Sequence, residues 1–149
     1  MKSIALVVAA ALLFAVTAAP QNAMAETKVH KVAIHVDDKD PRRMNMALNN
    51  AKNVRKYYQS KGQKVIIEIV AYGPGLHMLR KDTSPVKDRI AAMSLADPTL
   101  RFSACGNTHR AMSKKSGKKV TLVSEAKMVP SGVVRLVELQ EKGWSYIRP

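Results

Sequence analysis

Cys105 is the only cysteine among 149 residues, and it stands in the stretch RFSACGNTHRA, four positions ahead of His109. A thiol attacks as its thiolate, a form favoured by nearby positive charge and by the free N–H groups of a helix start. The residues that follow fit such a start: Gly106 permits close backbone approach, and Asn107 or Thr108 can cap the helix. His109 could reach back for the thiol proton, but no Asp or Glu follows nearby to orient its ring. A cysteine-protease pair is therefore poorly supported, and an exposed first-turn histidine is the ordinary reading. Unpaired cysteines are also among the most buried residue types. The residues by themselves leave Cys105 open between a reactive thiol and a core thiol.

Other chemistry has less behind it. His30, His35, His77 and His109, with Met44, Met46, Met78 and Met112, are ligand types for a soft metal such as copper(I), yet only His77 and Met78 are adjacent. Methionines at helical spacing also fill cores, so neither a metal nor another cofactor is expected. Gly73-Pro74-Gly75 lacks the spacing of a phosphate loop. The formal charge of +14, from 25 basic and 11 acidic residues, suits anionic partners, from nucleic acid and lipid headgroups to sulfur oxyanions. Only SKKSGKK is locally dense and aromatics are few, so no nucleic-acid partner is expected.

These residues need elements to hold them. HKVAIHVDD, His30 to Asp38, alternates as a strand does, and Asp40-Pro41 then supplies an N-cap and a first-turn proline. The helix they start should reach about Gly62, burying Met44, Ala47, Leu48, Ala51, Val54 and Tyr58. Asn45, Asn49 and Asn53 form a second stripe, which is either a hydrogen-bonding face toward a subunit or pocket, or a wet side. KVIIEIVAY, Lys64 to Tyr72, has the composition of a central strand covered on both faces, and Gly73-Pro74-Gly75 forces a tight loop after it. A helix is expected from Ser84 to Leu95 with Val86, Ile90, Met93 and Leu95 inward, then a strand in TLRFSAC and a helix from about Asn107 to Ser116. A short strand at Val120 to Val123, a helix in PSGVVRLVELQEKG packing through Val133, Val134, Leu136, Val137 and Leu139, and a last strand in WSYIRP complete the chain. Alternating strands and helices predict an α/β fold with a mostly parallel sheet and helices on both faces. In such sheets ligands bind beyond the carboxyl ends of the strands, where the DDKD, GPGLH and CGNTH loops should meet.

Lys2, an apolar run of 13 residues and small residues at Ala23 and Ala25 have the pattern of a cleaved signal peptide over residues 1–25. The run is shorter than the roughly 18 residues a spanning helix needs, so an exported, periplasmic chain without a membrane anchor is expected. Residues 26–149 are enough for one domain. A lone cysteine forms no intrachain disulfide, so packing or assembly must hold that domain together.

The stretches VAYGPGLHML, FSACGNTHRAM and VPSGVVRLVELQEKGWSYIRP, with ALNNAKNV in the first helix, resemble the DsrE/DsrF-like family, in particular its exported branch. The resemblance runs from about Val29 to Pro149. It implies a flavodoxin-like three-layer αβα sandwich without flavin, assembled as a homo-oligomer, a trimer or a hexamer. It also implies that Cys105 accepts sulfur as a persulfide and hands it to a partner protein, with Tyr72, Gly73, Pro74 and Gly75 beside it. His109 has no part in the resemblance. The expected function is thus a periplasmic sulfur carrier taking small sulfur species or a donor protein's sulfur. The alternatives are an oligomeric binding module for an anionic ligand or a protein, and a copper-binding protein.

Overall fold

The computed structural model describes residues 28–149; the signal peptide read at residues 1–25 lies outside them. Five strands, β1 (Val29–Val36), β2 (Lys64–Ala71), β3 (Leu100–Cys105), β4 (Ala126–Val129) and β5 (Ser145–Ile147), form one sheet in the order β4-β3-β2-β1-β5. Every pairing between them is parallel. Four α-helices pack around the sheet: α1 (Pro41–Ser60), α2 (Lys87–Ala96), α3 (Gly106–Ser116) and α4 (Gly132–Glu141). The architecture is α/β of the flavodoxin-like kind.

Parallel register decides which residues share a face. Ile34 pairs with Ile69 and Ile69 with Phe102, so alternate positions of β1, β2 and β3 present Val32, Ile34, Val36, Ile67, Ile69, Ala71, Phe102 and Ala104 to one side. The buried stripe of α1, Met44, Ala47, Leu48 and Ala51, covers that side, joined by Ile90 of α2. On the other side Ala33 and Val70 meet Leu136 and Leu139 of α4, flanked by Tyr72 and Trp144. His35, Glu68, Ser103 and Cys105 belong to this second face by register.

The split follows from the handedness of crossovers. From β1 to β4 the chain steps across the sheet in one direction, and right-handed connections put α1, α2 and α3 on one face. β4 and β5 are opposite edges, so the return runs the other way and α4 must cross the other face. α4 starts beside β3 because Cys105 is in register with Val129, the last residue of β4.

Several expectations change. The GPGLH stretch is a 3-10 helix over Gly73–Leu79, closed by the Gly75 N–H to Tyr72 carbonyl bond of 3.0 Å, and it buries Leu76, Met78 and Leu79 in the main core. α2 starts at Lys87 rather than Ser84, because the Ser84 hydroxyl is turned to the Met78 carbonyl at 2.5 Å in a preceding bend. Leu95, expected inward, is 90% exposed. The fourth strand is Ala126–Val129, not Val120 to Val123. Val120 and Val123 are buried, and Leu122 between them makes only an isolated antiparallel bridge with Arg80. In α4 the packing residues are Leu136 and Leu139, while Val133, Val134 and Val137 are about half exposed. The asparagine stripe serves the chain itself: Asn45 and Asn49 accept hydrogen bonds from the Arg89 guanidinium at 2.6 and 2.7 Å, pinning α2 to α1. Asn53 is exposed.

Candidate functional site

Cys105 ends β3 and is the N-cap of α3, with its Sγ accepting the Thr108 N–H at 3.5 Å. An N-cap side chain satisfies N–H groups that the first helical turn cannot pair internally, so the sulfur sits where the helix is most positive. Thr108 serves it a second way. Its Oγ1 accepts the Gly73 N–H at 2.9 Å, which leaves the hydroxyl proton to be donated to the sulfur. The loop after β2 thus reaches Cys105 through Thr108.

A second helix start closes on the same atom. The turn from β4 into α4, Pro130 to Gly132, folds back over Cys105: the Asn107 N–H donates to the Pro130 carbonyl at 3.2 Å. A side chain on Gly106 would come within 3.0 Å of the Val129 carbonyl oxygen. One on Gly132 would lie 2.8 Å from Tyr72 Cβ and 3.2 Å from Cys105 Cβ, so only glycine lets α4 begin so close. Gly132 thus sets the N-terminal end of α4 directly against Cys105.

These contacts decide the acidity of the thiol. Cys105 is 4% exposed, and burial pushes its pKa up. Hydrogen bonding from Thr108, together with the backbone N–H groups of the two helix starts nearby, outweighs burial and holds the thiol below its usual value. A thiolate stabilised at the end of a parallel strand, between two helix starts, is equipped for nucleophilic attack at sulfur.

The neighbouring residues form an aromatic and charged edge. Tyr72 stacks on His35 with ring centroids 4.6 Å apart, and His35 Nδ1 lies 2.7 Å from the Tyr146 hydroxyl. His35 is 5% exposed, and its Nε2 has no hydrogen-bond partner, the nearest carboxylate oxygen, Asp37 Oδ2, being 3.8 Å away. Burial lowers the His35 pKa, with Arg148 adding to the effect and Asp37 opposing it. Asp37 is itself paired with Arg148 at 2.7 Å. Burial raises the Tyr72 phenol, as does the Asp37 charge.

Of the residues singled out from the sequence, Tyr72, Gly73, Gly106 and Thr108 gather around Cys105. Asn107 gives its N–H to the Pro130 carbonyl, and its side chain is held by Arg110. Gly75 acts at one remove: a side chain there would meet the Val36 carbonyl oxygen at 2.1 Å, so this glycine seats the 3-10 helix on the end of β1. Pro74 lines an open groove of about 950 Å³ that Gly73 and Thr108 share with Lys39, His77 and Lys115. His109 points elsewhere, its Nε2 lying 2.7 Å from the Val120 carbonyl oxygen, so it fastens the segment after α3 and leaves the thiol alone. Gly132 was not anticipated, and His35 was considered only as a soft-metal ligand type, not as the partner of Tyr72. The signal for Gly132 was present in Ser131-Gly132, a helix start immediately after a short strand. Among the described residues no group of three or more His, Cys, Asp or Glu stands close enough to hold a metal ion, and Met44 and Met78 are packed in the core. No helix among them is long and apolar enough to cross a membrane.

A family model described as DsrE/DsrF-like matches residues 10–149. Among solved structures, a protein of unknown function from Methanobacterium thermoautotrophicum is 33% identical, with a TM-score of 0.68 over 80% of this chain and 99% of its own. None of the curated proteins is similar to this sequence.

Proposed function

The chain belongs to the DsrE/DsrF-like family, which is of the sulfur-relay type, and on that premise we propose that it is a periplasmic sulfur carrier working through Cys105. The Cys105 thiolate attacks the outer sulfur of a donor persulfide, R–S–S⁻. A new S–S bond forms on Cys105, the donor's S–S bond breaks, and R–S⁻ leaves with its electron pair. An acceptor thiolate then takes the outer sulfur of Cys–S–S⁻, and Cys105 departs as a thiolate. One sulfur atom moves and no external oxidant is needed.

The observation that carries this reading is the seat of one sulfur between two helix starts: it caps α3 by accepting the Thr108 N–H, and Gly132 at the start of α4 packs against it. It stabilises the anion both before attack and as leaving group, and a merely structural core thiol would gain nothing from it. The test is intact mass after incubation with polysulfide. A gain of about 32 Da, one sulfur atom, is expected on the wild type, reversed by dithiothreitol and absent in Cys105→Ala. A wild-type mass that never changes while the thiol remains titratable sinks the carrier reading.

We also propose that the chain assembles with itself through α4. Val133, Val134 and Val137 are half exposed on the outer side of that helix, with Tyr146 and Met128 also exposed, and apolar surface of this kind favours a protein partner.

A further inference from the structure

Glu68 lies in the middle of the central strand β2 and is 1% exposed. A buried carboxylate is costly unless its oxygens are all bonded, and these are: Oε1 accepts from Arg135 Nε at 2.7 Å and from the Ser103 hydroxyl at 2.7 Å, and Oε2 from Arg135 Nη2 at 2.8 Å. Two parallel bonds from a planar guanidinium fix direction as well as distance. Apolar residues of similar volume would stabilise the interior as well or better, so stability alone does not account for the pair.

What the pair holds is the first turn of α4. Arg135 stands three residues beyond Gly132, and its N–H donates to the Ser131 carbonyl at 3.0 Å, closing that turn. The rest of the anchorage on this face is thin, Leu136 and Leu139 against Ala33 and Val70. The Ser131 side chain makes no capping bond, so the first N–H groups of α4 are left for other acceptors. Gly132, with no space for a side chain between Tyr72 and Cys105, brings that end of the helix against Cys105.

We infer that Glu68 is a positioning residue for Cys105: acting through the Arg135 fork, it sets the first turn of α4 so that Gly132 packs on Cys105 and the positive end of the helix lies beside the sulfur. The inference deepens the sulfur-carrier reading and rests on it for the use made of the thiolate.

The two ways in which Glu68 could influence the thiol have opposite signs. Removing its negative charge leaves Arg135 with only Glu138, at 3.3 Å, as counter-ion and Arg101 nearby, which by direct field would favour the thiolate. Releasing the first turn of α4 withdraws the positive end of that helix and disfavours it. The experiment is the rate of iodoacetamide alkylation of Cys105 against pH in the full chain, with circular dichroism to verify the fold. Glu68→Gln is expected to move the midpoint to higher pH and to slow alkylation below the midpoint by roughly two- to tenfold. An unchanged or lowered midpoint overturns the inference. Arg135→Lys keeps the charge and loses the fork; it is expected to shift the same way, and it decides the matter should Glu68→Gln fail to fold. Sulfur loading of the wild type, followed by mass, separates the two ideas. Sulfur uptake with no midpoint change in either variant removes the positioning role alone. A raised midpoint in a chain whose wild type takes up no sulfur leaves positioning intact and removes the carrier.

Discussion

Thr108→Val removes one hydroxyl and keeps the shape of the side chain, and its effect on Cys105 can be worked through in advance. In the native site that hydroxyl accepts from Gly73 N–H at 2.9 Å, which leaves its proton for the sulfur, and Thr108 helps hold the thiol below its usual value. A hydrogen bond to a charged group contributes about 1.5–3 kcal/mol, and 1.36 kcal/mol corresponds to roughly one pH unit in a titration. The Thr108 N–H stays on the sulfur, and Thr108 itself borders an open groove, so the low end applies. The midpoint of the alkylation profile is expected to rise by about one pH unit. Folding stability should fall by about 1 kcal/mol as the Gly73 N–H loses its acceptor, read as a lower urea midpoint. Alkylation rates measured from about pH 5 to pH 10 give the first number. Thr108→Ser keeps the hydroxyl and should keep the wild-type midpoint. If the Val and wild-type profiles superimpose in folded protein, the hydroxyl does not serve the sulfur, and the argument for a relay from Gly73 through Thr108 is wrong.

Two further outcomes are expected. His35 is held neutral by burial, below its ordinary value of 6.5, so near and below that pH the unfolded chain binds more protons and stability drops as pH falls. His35→Gln should flatten that slope in urea midpoints taken at about pH 7.5, 6.5 and 5.5, leaving the part owed to His77, which is also depressed by burial; an undiminished slope contradicts the assignment. Val134→Lys with Val137→Lys should reduce the mass seen by sedimentation to that of a single chain, and an unaltered oligomer would place the interface elsewhere.

Most of the sheet was legible because its period is strong. The alternation through Val32, Ile34 and Val36, and the stripe from Met44 to Ala51, are dictated by burial, and the helix start behind Cys105 was visible in GNT. What went astray did so where burial does not dictate residue type. β4 is an edge strand with Lys127 and Met128 exposed, so AKMV carries little apolar signal, whereas VTLV has a strand's composition and uses its valines as plugs. Misplacing β4 concealed the turn into α4, and with it Gly132. The valines of α4 suggested packing by their chemistry, yet a single helix crossing a sheet can turn only one stripe inward. Glu68 was a visible anomaly in a β-branched strand, but its partner Arg135 is 67 positions away, and nothing local links them.

The order of the strands also bears on when the chain acquires its chemistry. β5 pairs with β1 at the far end of the molecule, and the His35 contact with Tyr146 joins residues 111 positions apart. Closures of that span are slow relative to local structure. α4 packs on β1, β2 and β3 and is forked to Glu68 of β2, so its first turn can seat only once those strands have paired. A chain in which they have not assembled carries Cys105 with one helix start at most. The second helix start reaches the thiol only with the central sheet, which ties the surroundings of Cys105 to contacts far away in sequence.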